Sequence, residues 1–170
     1  MQTGSGVQHS EKYEKGTSSF QIWFEPFLGE TNYAAPTYAD YLEQDFPVVM
    51  KDGCTIKSIV GGSSPVQLVA DAKMWDVTIS AGQAFEMMVP DGYSIAGLVV
   101  EGPSTWCSFN ETRSVEPREF VICEGDAAGL LRVGADVGGD TRLILIQVPS
   151  VLPYPSYKEV KIRLKVEKQK

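Results

Sequence analysis

An all-β, antiparallel domain is the fold class this sequence predicts, on three observations. From residue 48 onward, short runs of β-forming residues recur, many of them alternating apolar with polar. Clusters of Gly, Pro and Asp separate them at the spacing of a sandwich or barrel. Only the stretch between Thr37 and Pro47 reads as helical.

The elements follow in order. In "SSFQIWFEPF" (18–27), Phe20, Ile22 and Phe24 point one way and Gln21, Trp23 and Glu25 the other, the period of a strand. "GETNYAAPTYADYLEQDFP" breaks that alternation, and Thr37 is placed to cap one or two helical turns ending before Pro47. Strands are then predicted in "CTIKSIV", "VQLVAD", "KMWDVTI", "AFEMMV", "YSIAGLVVEG", "TWCSF", "REFVICEG", "AGLLRVGA" and "TRLILIQVP", with turns at "SAGQ", "PDG", "EGP", "EGD" and "VGGDT". Loops this short require antiparallel pairing. Alternating strands need a second sheet to cover their inner faces. Candidate core residues are Ile59, Val77, Ile79, Phe85, Ile95, Leu98, Val121, Leu131, Leu143 and Leu145. In the tail "YKEVKIRLKVEKQK", Val160, Ile162, Leu164 and Val166 alternate with Lys161, Arg163 and Lys165. An edge strand guarded by lysines fits that period, and a polyanion-binding tail is the other reading of the same charges.

At 170 residues, 43% hydrophobic and 22% charged, the chain is an ordinary globular protein. Its net charge of −7 argues against nucleic acid as a general partner, because a polyphosphate needs a cationic footprint. No apolar run has the length of a membrane span, and "MQTGSGVQHSEKYEKG" has no apolar signal segment, so no membrane partner and a cytoplasmic location are expected. Cys54, Cys107 and Cys123 are odd in number and widely spaced, and read as reduced, mostly buried thiols.

Most motifs dissolve on inspection. "GSG" and "GDAAGLLRVGADVGG" do not open a helix after a strand, so they read as hairpin turns rather than phosphate loops. A Ser-His-Asp triad lacks a nucleophile elbow. Asp40, Glu43 and Asp45 are explained by surface solvation as well as by a carboxylate pair. There remains "HSE": His9 is the sole histidine, and on a strand Glu11, two positions on, would share its side and point with it into a barrel. That arrangement suits a shared metal, although a lone histidine is also commonly structural or surface-exposed.

"GSGVQHSEKY" followed by "FQIWFEPFLGETNYAAPTY" resembles the pirin family of bicupins at the end of its N-terminal cupin. "MWDVTISAGQAFEMMVPDGYSIAGLVVEG" and "FVICEGDAAGLLRVGADVGGDTRLILIQVP" resemble its C-terminal cupin. The resemblance implies a cupin-type jelly-roll sandwich with a partial second cupin at the N-terminus. The implied divisions are a remnant of the N-terminal cupin over 1–45, a C-terminal cupin over 46–155 and a basic tail over 156–170. His9 and Glu11 correspond to the last two of the family's four metal ligands, with Glu11 also able to take a substrate proton once the site is complete. The other two ligands are a His-x-His pair on an earlier strand, which the resemblance places before Met1. Intact relatives hold Fe(II) or another divalent transition metal, and include dioxygenases that open flavonols such as quercetin and regulators that bind transcription factors. For this chain the resemblance implies an incomplete metal site and no firmly held cofactor. It also implies a scaffold or interaction role, with a homodimer or an N-terminal cupin as partner and a flavonol-like molecule only if the site is completed.

Overall fold

Two residues at positive φ, Asp52 (49°) and Gly53 (71°), start the sandwich. They form the two-residue turn whose twist matches antiparallel strands, and join β1 (Val48–Lys51) to β2 (Cys54–Val60) with Lys51 opposite Cys54. The computed structural model describes residues 1–108, 111–125 and 127–159. It divides into two units, Tyr41–Val151 and, separately, Met1–Asp40 with the chain from Leu152.

In the Tyr41–Val151 unit the strands continue as β3 (Lys73–Ile79), β4 (Ala84–Val89), β5 (Tyr93–Glu101), β6 (Ser104–Ser108), β7 (Glu111–Val115), β8 (Phe120–Cys123), β9 (Gly129–Ala135) and β10 (Thr141–Pro149). They make a six-stranded sheet, β1-β2-β3-β10-β5-β8, and a four-stranded sheet, β4-β9-β6-β7. Every pairing is antiparallel. This is the two-sheet sandwich that the alternation predicts, in the jelly-roll form that the resemblance implies.

The core between the sheets takes every second residue: Val77 and Ile79, Ile95 and Val99, Val121 and Cys123, Leu143 and Leu145 from the large sheet. Phe85 and Val89, Trp106, Val115, and Leu131, Val133 and Ala135 meet them from the small one. Each large apolar side chain buried in this way contributes about 1.5–3 kcal/mol. Ile59 and Leu98, expected in this core, instead join a second cluster with Val60, Met74 and Ile144. The predicted strand "VQLVAD" is the loop beside it. Ser64 Oγ donates to the Ile59 carbonyl (2.7 Å) and accepts from Val66 N–H (3.1 Å), a local bonding that competes with strand pairing. Val66 and Leu68 thereby pack on the second cluster.

Two strands escaped the sequence reading. β1 is exposed along its whole length and β7 is buried only at Val115, so neither shows the apolar alternation that marks a half-buried strand. The expected helix between Thr37 and Pro47 shrinks to one 3-10 turn, Glu43–Asp45, whose Asp45 carboxylate accepts from Leu42 N–H at 2.7 Å. Thr37 does not cap it.

In the other unit, Thr37 pairs with Gln2 in an isolated bridge. A short helix, α1 (Leu28–Thr31), follows Phe27. Phe27 stacks on Tyr154 (5.3 Å between centroids), and Tyr154 O–H donates to the Glu25 carbonyl at 3.0 Å. Residues 18–27 form no strand: among the described residues nothing pairs with them, and a strand exists only through its ladder. Trp23 is consequently 85% exposed. Residues 157–159 are helical where the tail alternation suggests a strand. There Ser156 and Glu159 bond reciprocally, each side chain accepting from the other's backbone N–H. Val160 and the rest of the basic tail lie outside the described residues.

Candidate functional site

The N-terminal turn fixes where His9 begins. Gly4 sits at φ +47°, and a Cβ there would lie 2.2 Å from the Ala34 carbonyl oxygen, so no other residue fits. Ser5 N–H donates to that same carbonyl at 2.8 Å, and Gly6 N–H to the Thr3 carbonyl at 2.8 Å. The chain then runs on without regular secondary structure through residues 7–14.

Along it His9, Glu11 and Tyr13 come together. His9 Nε2 lies 3.5 Å from Glu11 Oε1. Tyr13 O–H donates to the other carboxylate oxygen, Oε2, at 2.5 Å. That bond to Glu11 is the main cause holding the Tyr13 phenol above its ordinary pKa. The sequence places His9 and Glu11 side by side, and the structure does bring them together. It does not place them on a strand: their side chains are 43% and 42% exposed, because the segment has no sheet to join among the described residues. Tyr13 was missed, although carrying the period of two one step further, H-x-E-x-Y, points to it.

The remaining acidic candidates have local partners. Tyr38 O–H donates to Asp40, Asp45 caps its own turn, and Glu43 pairs with Lys57 Nζ at 2.6 Å. The hydrogen bond from Lys57 holds the Glu43 carboxyl below its usual range. They do not form a carboxylate pair.

No family model matches the chain. A pirin-like protein of Caulobacter vibrioides is 28% identical over 112 residues, covering 60% of this chain and 40% of that protein. A pirin-like protein of Solanum lycopersicum is 26% identical over 136 residues, 76% of this chain and 46% of that one. This chain is related to the pirin-like proteins. It spans less than half the length of either relative. Its fold is similar to that of a quercetin 2,3-dioxygenase from Acinetobacter baumannii, with a TM-score of 0.62 and 16% identity over 85% of this chain and 52% of that one. A cupin-2 domain protein from Rhodospirillum rubrum superposes at 0.50, with 9% identity over 76% of this chain and 88% of that one. The chain therefore carries a cupin-type fold.

The family's metal can be tested against the donors. A firmly held transition metal takes about four protein or solvent ligands, at least three of them side chains. His9 and Glu11 supply two. Among the described residues, no group of three or more His, Cys, Asp and Glu is placed to hold a metal ion. The described residues of one chain therefore do not fit the group. The described residues also contain no helix long and apolar enough to cross a membrane.

Proposed function

We propose that this chain works as a pirin-like cupin interaction domain, without catalysis of its own, in the cytoplasm. The observation that carries the reading is the interior of the sandwich. The inward positions of β3, β4, β5, β6, β9 and β10 bear Val77, Ile79, Val89, Ile95, Trp106, Leu131 and Leu145, all almost fully buried. Chemistry on a bound metal or flavonol needs donors aimed at the reacting group. These positions supply packing, and packing makes a stable scaffold. The surface available to partners includes the exposed aromatics Phe20, Trp23, Tyr33 and Tyr38, and aromatic side chains are enriched at protein interfaces.

The test is dioxygen uptake by the purified chain with quercetin and added Fe(II), Cu(II) or Ni(II). No uptake above the protein-free rate is expected. A metal-dependent rate that vanishes in His9→Ala overturns the proposal.

One observation favours a second reading, a metal-dependent dioxygenase of the quercetin 2,3-dioxygenase type: the backbone similarity to the Acinetobacter enzyme over 85% of the chain. In that reading residues 1–45 belong to another cupin barrel that supplies the remaining donors. His9 is then a ligand, and Glu11 a ligand that also accepts the substrate's hydroxyl proton. Uptake by a chain extended at its N-terminus with such a barrel, and lost in His9→Ala, would select this reading.

A further inference from the structure

β8 ends the large sheet, and its free edge carries none of the devices that keep such an edge closed. Edge strands are usually guarded by a lysine, a proline or a bulge. At the other end of the sheet, β1 has Pro47 before it and Lys51 at its close. β8 consists of Phe120, Val121, Ile122 and Cys123, all apolar, and its register with β5 is unbroken. Val121 and Cys123 point inward and are buried, whereas Phe120 and Ile122 point outward and are 56% and 61% exposed. These two lie beside Leu98 and Ala96 of β5, and Leu98 belongs to the second cluster, so the outer apolar surface runs on to the edge.

The backbone of the strand is available too. Arg118 N–H donates to the Val99 carbonyl at 2.8 Å, and Val99 N–H to the Glu119 carbonyl at 3.1 Å. Antiparallel bonds recur at every second residue. Val121 and Cys123 therefore bond Gly97 and Ile95, and the N–H and C=O groups of Phe120 and Ile122 turn away from β5. Among the described residues no strand lies on that side. Acidic groups stand at both ends: exposed Glu116 and Glu119 before the strand and exposed Glu124 after it, against one cation, Arg118.

We infer that the free edge of β8 takes up an extended segment of a partner protein as an added strand, with two apolar side chains on its outer face and Lys or Arg near each end. In strand addition, main-chain bonds hold the segment while alternate side chains select it. From Glu119 to Glu124 a strand advances about 17 Å, so the two cations of the segment are about five residues apart. The apolar pair covers Phe120 and Ile122, and the cations meet carboxylates at both ends. The inference rests on the interaction-domain reading and gives its partner a chemistry. Oxygen uptake tests that reading by itself, so the two can fail separately.

The experiment uses the full chain and a fluorescein-labelled peptide, Lys-Val-Thr-Val-Thr-Lys, read by fluorescence anisotropy. Anisotropy should rise to saturation at one peptide per chain, and about 0.5 M salt should weaken binding several-fold by screening the flanking charges. Amide exchange in the unmodified protein should slow at Phe120 and Ile122 when the peptide is added. Ile122→Lys puts a guarding charge on the edge and should weaken binding about tenfold. Its far-UV spectrum should be unchanged, because the side chain is exposed. Glu124→Lys should weaken binding several-fold, and a peptide with Glu in place of both Lys should not saturate. No saturable binding overturns the inference, as do equal affinity for the acidic peptide or for the Ile122→Lys protein, and protection that appears away from β8. So does a chain whose Phe120 and Ile122 amides are already protected in a dimer before peptide is added.

Discussion

Substituting Gly97 by alanine tests the packing of the two sheets at its tightest point. Gly97 lies on β5 in the large sheet and faces Trp106 on β6 in the small one. An added Cβ would lie 2.2 Å from Trp106 Cη2 and 2.8 Å from Cζ3. The ring has little freedom to retreat. It is 1% exposed, and its Nε1–H donates to Ser104 Oγ at 2.8 Å, which in turn donates to the Val115 carbonyl. Overpacking of a tethered aromatic belongs at the upper end of the usual range, ~3 kcal/mol. Alanine also restricts the unfolded chain, which offsets ~0.4–1 kcal/mol because Gly97 has no positive φ to satisfy. The net expectation for Gly97→Ala is a loss of about 2 kcal/mol. With a urea m-value of about 2 kcal/mol/M, the midpoint should fall by about 1 M at unchanged slope. Trp106→Phe removes the atoms that clash, so the double variant should lose less than the sum of the singles, with a coupling of about 1 kcal/mol or more. A Gly97→Ala protein as stable as the parent, or strictly additive losses, would refute the account of the interlock.

Other expectations follow from the same contacts. Residues 41–151 alone should keep the β-rich far-UV spectrum and a cooperative transition, because the sandwich core draws no residue from outside them. A helix-dominated spectrum would contradict this. Iodide should quench Trp23 strongly and Trp106 hardly at all, so Trp23→Phe should remove most of the quenchable emission. The Glu43 carboxyl is lowered in the folded state by Lys57, so its contribution is present above the unfolded value of about 4.5 and lost as pH falls through the lower folded value. Lys57→Met should therefore flatten the acid-side decline of the urea midpoint, and an unchanged slope would count against the pair. Finally, Cys54 and Cys123 are buried with thiol pKa values raised by desolvation, whereas Cys107 is partly exposed. A thiol reagent at neutral pH should label Cys107 first and the other two only with unfolding.

What could be read in the sequence depended on whether a residue's partner is also legible there. "TRLILIQVP" was plain because β10 lies inside the large sheet and buries both faces: Leu143 and Leu145 inward, Ile144 in the second cluster. β7, "ETRSV", was not, since an edge strand needs no apolar partner and Arg113 and Thr112 serve as well. The one signal for β1 was Asp52-Gly53, a hairpin dipeptide that identifies the strand by its turn rather than its own composition. "FQIWF" shows the reverse failure. Its period is that of a strand, but alternation states only a capacity to pair, and nothing among the described residues takes it up. The same holds at the site. His9 and Glu11 lie side by side, but the strand and barrel expected around them are not formed by the described residues. Tyr13 stayed hidden because a phenol two positions from a carboxylate is commonplace until the bond is seen.

The stacking of Phe27 on Tyr154, with the bond from Tyr154 back to Glu25, links positions 129 residues apart. Closing a free coil of that length costs about 4 kcal/mol beyond the constant term, more than one stacked pair of rings and one hydrogen bond return. The contact becomes favourable only when most of the intervening chain is no longer a coil, that is, after the strands from β1 to β10 have paired. Phe27 is made well before Tyr154, so their contact must wait until the strands between them have been made. During synthesis the strands thus pair first and the stacking of Phe27 on Tyr154 comes late. Any agent that binds Phe27 has its easiest access in that interval.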